Sequence, residues 1–221
     1  MTGAKIAEAG QDLASGLVNK SNNATDPRRH IIGQSSSYQV TRLSAEIGVA
    51  DYCASYVDPP RFMAYCRECG NYGTVWSCPP YDFAAEELWQ KYRRMQLFGR
   101  KLTLAPELLQ RRYDKEQMGQ LLKDTLFRER AEMEGELFAM EAANPGSFAL
   151  LPGSCRRCGE GNCTRGEGKP CRDPEHLRHS LESLGGDVGR TAAELLGIPL
   201  LWSSEGRLPE YFTLVAALLL P

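Results

Sequence analysis

Seven of the eight cysteines in this chain fall in two short segments, CRECGNYGTVWSCPPY at residues 66–81 and CRRCGEGNCTRGEGKPCRDP at residues 155–174. Both open on Cys-Arg-x-Cys-Gly. In such a turn the two sulfurs lie on one side, backbone N–H groups point toward them, and the glycine lets the chain double back without steric cost. A knuckle of this kind binds a thiophilic metal, so both segments are expected as cysteine-rich metal-binding loops carried by the rest of the fold.

The downstream segment has the spacing C-x2-C-x4-C-x7-C, through Cys155, Cys158, Cys163 and Cys171, and offers four thiolates from one loop. Gly159, Gly161, Gly166 and Gly168 make that loop pliable. A single zinc is usually held by two close pairs, whereas a cubane needs thiolates around a broader object, so uneven spacing with one C-x2-C pair points to a four-iron cluster. Arg156, Arg157, Arg165, Lys169, Arg172 and Arg178 outnumber the nearby acids and are expected to balance its charge.

The upstream segment is C-x2-C-x8-C, through Cys66, Cys69 and Cys78, one ligand short of four. Cys78-Pro79-Pro80 matches the Cys-Pro step of bacterial ferredoxin motifs, where proline sets the exit direction and removes a competing donor. Tyr65, Tyr72, Trp76, Tyr81 and Phe83 serve equally as a dry wall for a cluster or as ordinary core aromatics. Cys53 either completes the upstream site, leaves an open coordination position for substrate, or is a small buried hydrophobe.

Composition narrows the class. At 221 residues and 42% hydrophobic content the chain has enough apolar surface for a packed core without cross-links. A net charge of −2, from 26 basic and 28 acidic residues, gives no general attraction to nucleic acid or an anionic membrane. The apolar run near the C-terminus, FTLVAALLL, is far too short to span a bilayer and reads as a buried strand. The N-terminal residues lack the apolar segment of a secretory signal, so the expected setting is cytoplasmic, where disulfides are rare. Asn23-Ala24-Thr25 is a sequon without meaning in that compartment.

Residues 1–37, rich in Gly, Ser, Asn and Ala, are expected as a flexible N-terminal arm with a short helix around Ile6 to Val18, and residues 38–221 as one cysteine-rich domain. A helix is expected from Asp82 through AAEELWQKYRRMQLF, then a strand in RKLTLAP. The longest helix should run from about Asp114 to Ala143, with Met118, Leu122, Leu126, Met133, Leu137 and Met140 on one side, ending at Asn144-Pro145-Gly146. SFALLPG reads as a short strand. PEHLRHSLESLGG should be a helix stopped by Gly185-Gly186, Asp187 should cap a further helix, and the finish should be a β-hairpin turning at Ser204-Glu205-Gly206-Arg207. The fold class is therefore α+β or mixed α/β, a layered sheet with helices.

His176 and His179 flank an apolar stripe and are expected as solvated helix histidines; Glu182 and Asp187 are candidate acid–base residues equally served by cap and surface roles.

Taken together, FMAYCRECGNYGTVWSCPPYDF, the downstream cysteine segment with its continuation to LLGI, and the closing EYFTLVAALL resemble a prokaryotic family of uncharacterised "predicted metal-binding" proteins, over residues 44–220. The resemblance implies metal or iron–sulfur binding by Cys66, Cys69, Cys78, Cys155, Cys158, Cys163 and Cys171, and brings no substrate. Two functions follow. The first is a protein with one or two 4Fe-4S clusters, serving electron transfer with a redox partner protein or, with an open upstream cluster, redox catalysis on a small molecule. The second is a zinc-stabilised structural or interaction module in which Cys66, Cys69, Cys155 and Cys158 meet at one tetrahedral site.

Overall fold

The computed structural model describes residues 29–34 and 37–221. Five strands, β1 (Arg29–Gln34), β2 (Tyr38–Gly48), β3 (Arg94–Leu104), β4 (Phe148–Leu150) and β5 (Tyr211–Leu220), form one antiparallel sheet in the order β1-β2-β3-β5-β4. β1 falls within the stretch read from sequence as an arm. The helix expected around Ile6 to Val18 and the sequon at Asn23 lie outside the described residues.

The apolar run at the C-terminus is β5, and its side chains divide by the two-residue period of a strand. Tyr211, Val215, Ala217 and Leu219 enter one core cluster, whereas Phe212, Leu214, Ala216, Leu218 and Leu220 enter another. A strand with both faces covered has no polar face to show, which is why its sequence reads as a continuous run rather than an alternation.

One face is covered by the long helical stretch that begins at Lys115. Asp114 caps it with a complete capping box to Gln117. The stretch continues as α5 (Lys115–Leu122), a π-helical turn at Lys123–Phe127 and α6 (Arg128–Ala143), with Asn144 at its end; the short helix α4 (Pro106–Leu109) precedes it. Met133 and Leu137 of α6 are buried against the sheet. On the same face Arg100 of β3, only 2% exposed, lies 2.9 Å from Glu129 Oε2 and donates to the Glu129 carbonyl. Tyr38 donates to the other oxygen of Glu129.

The opposite face carries α1 (Val49–Tyr56), α3 (Ala85–Trp89) and the segment around residues 179–187, against which α2 (Pro59–Glu68) packs. A mixed helix and sheet architecture is thus observed, with corrections to its details. The helix expected from Asp82 stops at Trp89, because Met95 and Leu97 pair in β3 opposite Leu219 and Ala217. Residues 174–186 form two 3₁₀ turns, Pro174–His176 and Glu182–Leu184, rather than an α-helix. Ser180 and Ser183 bond each other's backbone amides through their hydroxyls, and the His179 carbonyl accepts from Leu151 N, so local and long-range bonds displace the helical pattern. Asp187 does cap the following helix α7 (Val188–Arg190), accepting from Arg190 N. The C-terminal hairpin does not form. Its second arm is β5, whose two edges are taken by β3 and β4, and the turn is closed only by an isolated bridge between Ser204 and Arg207.

Candidate functional site

The two cysteine segments, separated by about 80 residues of sequence, pack directly on one another. Cys155 N donates to Ser77 Oγ at 2.7 Å, Asn71 Nδ2 to Ser154 Oγ at 3.1 Å, and Trp76 Nε1 to the Lys169 carbonyl at 3.2 Å. Arg165 reaches across to donate to the carbonyls of Val75, Cys78 and Pro80, with its guanidinium 5.1 Å from the Trp76 ring. Ser77, 1% exposed, is the shared anchor: its carbonyl accepts from Tyr81 Oη at 2.7 Å and from His179 Nδ1 at 3.2 Å. His179 is therefore buried, not solvated. A carbonyl only accepts, so Nδ1 carries the proton, and burial holds the imidazole below the ordinary histidine range. His176 is the exposed one, paired with Asp173.

Cys66 lies in the last turns of α2 and is half-buried; Cys69 caps that helix and is exposed; Cys78, Cys155, Cys158, Cys163 and Cys171 are half-buried, and all are free thiols. Burial, followed by the charges of Glu182 and Cys69, pushes the Cys66 thiol up to about 11. Cys78 is also pushed up to about 11, by burial first, with Cys69, Glu182 and Cys66 adding to it. Cys155 is raised by burial and then by Cys171 and Cys158. The upstream thiols thus sense one another, as do three of the downstream four. Cys53 is held against the sheet-side core, and burial and Glu86 push it up to about 11.

Proximity stops short of convergence. Among the described residues no group of three or more Cys, His, Asp or Glu side chains is placed to hold a metal ion. This overturns the iron–sulfur reading, its electron-transfer and redox-enzyme extensions, and the zinc site of four knuckle cysteines; the segments are not metal-binding loops here. Local bonding gives the physical reason. The amides of Cys69 and Cys78 close turns onto the Cys66 and Val75 carbonyls, instead of being left for sulfur. Gly159, Gly161 and Gly168 adopt positive φ, and the loop folds on itself through Gly159 N to Arg156 O, Lys169 N to Thr164 O and Thr164 Oγ1 to Pro170 O. Much of the basic excess is also engaged: Arg157 pairs with Asp173, Lys169 with Glu167, Arg178 with Glu141, and Arg156 stacks 4.0 Å from the Phe127 ring.

Beside the upstream thiols lies a cleft of about 310 Å³. Pro59, Met63 and Cys66, at steps of four and three, share the face of α2 that forms one wall. The segment around Gly185 forms the next. Gly185 has φ +86°, and a Cβ there would lie 2.9 Å from Pro59 Cα, so glycine is required both by the turn and by the close approach of α2. Asp58 N donates to the Gly185 carbonyl at 2.8 Å and Trp89 Nε1 to the Leu184 carbonyl at 3.2 Å, tying this wall to α2 and α3. The aromatic side is Tyr81 stacked on Phe83 at 4.8 Å, with His179 edge-on to both.

Glu182 completes the cleft. Its carboxyl is raised above the ordinary carboxylate range by burial, opposed by its own amide, Ser180, the charge of Arg130 and the Gly153 amide. In the sequence Glu182 is a candidate acid–base residue that cap and surface roles explain equally well. The available signal was its place between two hydroxyl residues and a double glycine, which marks a turn but not what the turn faces. Asp187, the other candidate, serves as a cap.

The lining of the cleft mixes apolar side chains with the polar groups of Cys66, Arg67, Glu86 and Glu182. Residues 53–220 match the model of the domain family DUF2284, described as "predicted metal-binding protein", and the chain belongs to this family. No curated protein and no solved structure matches the chain. The metal that the description implies does not fit the donor arrangement described above. Among the described residues, no helix is long and apolar enough to cross a membrane.

Proposed function

We propose that this protein binds a small organic molecule in the cleft walled by Cys66 and Glu182, with the Glu182 carboxyl as the group that exchanges a hydrogen bond or proton with it. The observation that carries this reading is the placement of the Glu182 carboxyl, raised by burial, and the Cys66 thiol in the lining of one concavity with Met63, Tyr81 and Phe83. Titratable groups whose protonation is shifted by burial, gathered in a cleft, are candidates for a functional site. The thiols are protonated at neutral pH, so the site offers neutral donors rather than a nucleophile. A cytoplasmic setting, where thiols remain reduced, agrees with that role.

The test is ligand-observed saturation-transfer NMR with benzamide, a flat neutral probe carrying one acceptor, on the full chain and on Met63→Trp, which fills the cleft. The native protein should transfer saturation and the variant should not. Equal transfer to both, or none to the native protein, refutes the reading.

A further inference from the structure

We infer that the cleft selects a zwitterion with an apolar side group, of the α-amino acid class, whose carboxylate is held by Arg67 and whose ammonium is held by Glu86. This rests on the cleft being a ligand site. Arg67 stands in the last turn of α2 and Glu86 in the first turn of α3, and both line the same concavity from different elements. Among the described residues neither has an ion-pair partner, whereas Arg157, Lys169, Arg178 and Arg190 are all paired. The opposite charges thus stand, exposed, along one half-open cleft without an ion pair to neutralise them.

That pattern discriminates by charge. A simple carboxylate would gain Arg67 but meet Glu86, and a simple amine would gain Glu86 but meet Arg67. A zwitterion satisfies both, and charge-assisted bonds of this kind are stronger than neutral ones. Between the charges the lining is apolar, with Tyr81 and Phe83 stacked and Met63 and Leu184 alongside, which suits an aromatic or long aliphatic side group.

The experiment is titration calorimetry on the full chain with L-phenylalanine, phenylacetate and phenethylamine, in the native protein and in Arg67→Gln, Glu86→Gln and Met63→Trp. L-Phenylalanine should bind at least tenfold more tightly than either singly charged compound. Arg67→Gln should weaken it to the level of phenethylamine without weakening phenethylamine, and Glu86→Gln should do the same relative to phenylacetate. Phenylacetate or phenethylamine binding as tightly as L-phenylalanine, with Met63→Trp abolishing all three, overturns the zwitterion while leaving the cleft intact. So does failure of all three while benzamide still occupies the cleft. Failure of benzamide as well sinks the underlying ligand site.

Discussion

The amide of Cys155 donates a 2.7 Å hydrogen bond to the hydroxyl of Ser77, the residue immediately before Cys78. This bond joins the start of one cysteine segment to the end of the other. Because Ser77 is 1% exposed, no water is on hand to replace it.

Ser77→Ala should therefore destabilise the fold by about 1–3 kcal/mol, the cost of leaving a buried N–H unpaired. Urea denaturation of variant and native protein measures this, and an effect within experimental error would show that the junction is wet. Arg165→Lys should loosen the same junction, because an ammonium lacks the planar fork that reaches the Val75, Cys78 and Pro80 carbonyls. Faster amide exchange at residues 75–78 is the expected readout, since Pro79 and Pro80 have no amide hydrogen.

Thiol reactivity should separate the upstream cysteines. Cys66 and Cys78, both pushed up to about 11, should alkylate with iodoacetamide at pH 8 about two orders of magnitude more slowly than an ordinary thiol. Their rates should climb as pH approaches 11. Peptide mapping by mass spectrometry follows each site, and rapid labelling of Cys66 at pH 8 would contradict the burial described for it.

Glu182 and His179 should impose opposite pH dependences on stability. The folded Glu182 binds its proton more tightly than the unfolded chain does, so its contribution is complete below the ordinary glutamate value of 4.5 and is lost as pH rises through the raised folded value. Glu182→Gln should thus gain on the native protein as pH increases from 4 to 8. The folded His179 binds its proton less tightly, so its contribution is present above 6.5 and lost as pH falls. His179→Phe should lose the Ser77 bond at every pH yet flatten the decline below 6.5. Denaturation curves across pH that run parallel for variant and native protein would refute either assignment.

On the far face of the sheet, Arg100→Leu should destabilise by about 3–5 kcal/mol, since it strands the carboxylate of Glu129, 7% exposed, with Tyr38 as its remaining side-chain partner. Double substitution with Glu129→Leu should recover much of that loss. Non-recovery would mean that Arg100 acts through Glu136, which lies 2.7 Å from its other nitrogen.

How far the site was legible follows from the range of each interaction. The long helical stretch from about Asp114, its stop at Asn144 and the buried strand β5 depend on residues a few positions apart, and each stands where the sequence pattern places it. His179 was misread because its helical stripe is a local pattern, while Ser77 and the rings of Tyr81 and Phe83 lie about a hundred residues upstream. The cysteine spacings misled for a related reason. C-x2-C specifies that two sulfurs can share a side of a turn, but whether a third joins them depends on backbone bonds and ion pairs made elsewhere.

What the chain's order of residues decided alone is its elements: a strand buried on both faces, a long capped helix, and glycine-punctuated cysteine segments that mark its family. Tertiary structure decided which groups meet. It set Ser77 between the two cysteine segments, buried His179, and brought Glu182 into the lining of a cleft with Cys66. Helix and strand signals repeat over a few residues and hold where no distant pairing overrides them, as one does at residues 174–186, whereas a convergence of side chains depends on how separate elements pack against the sheet.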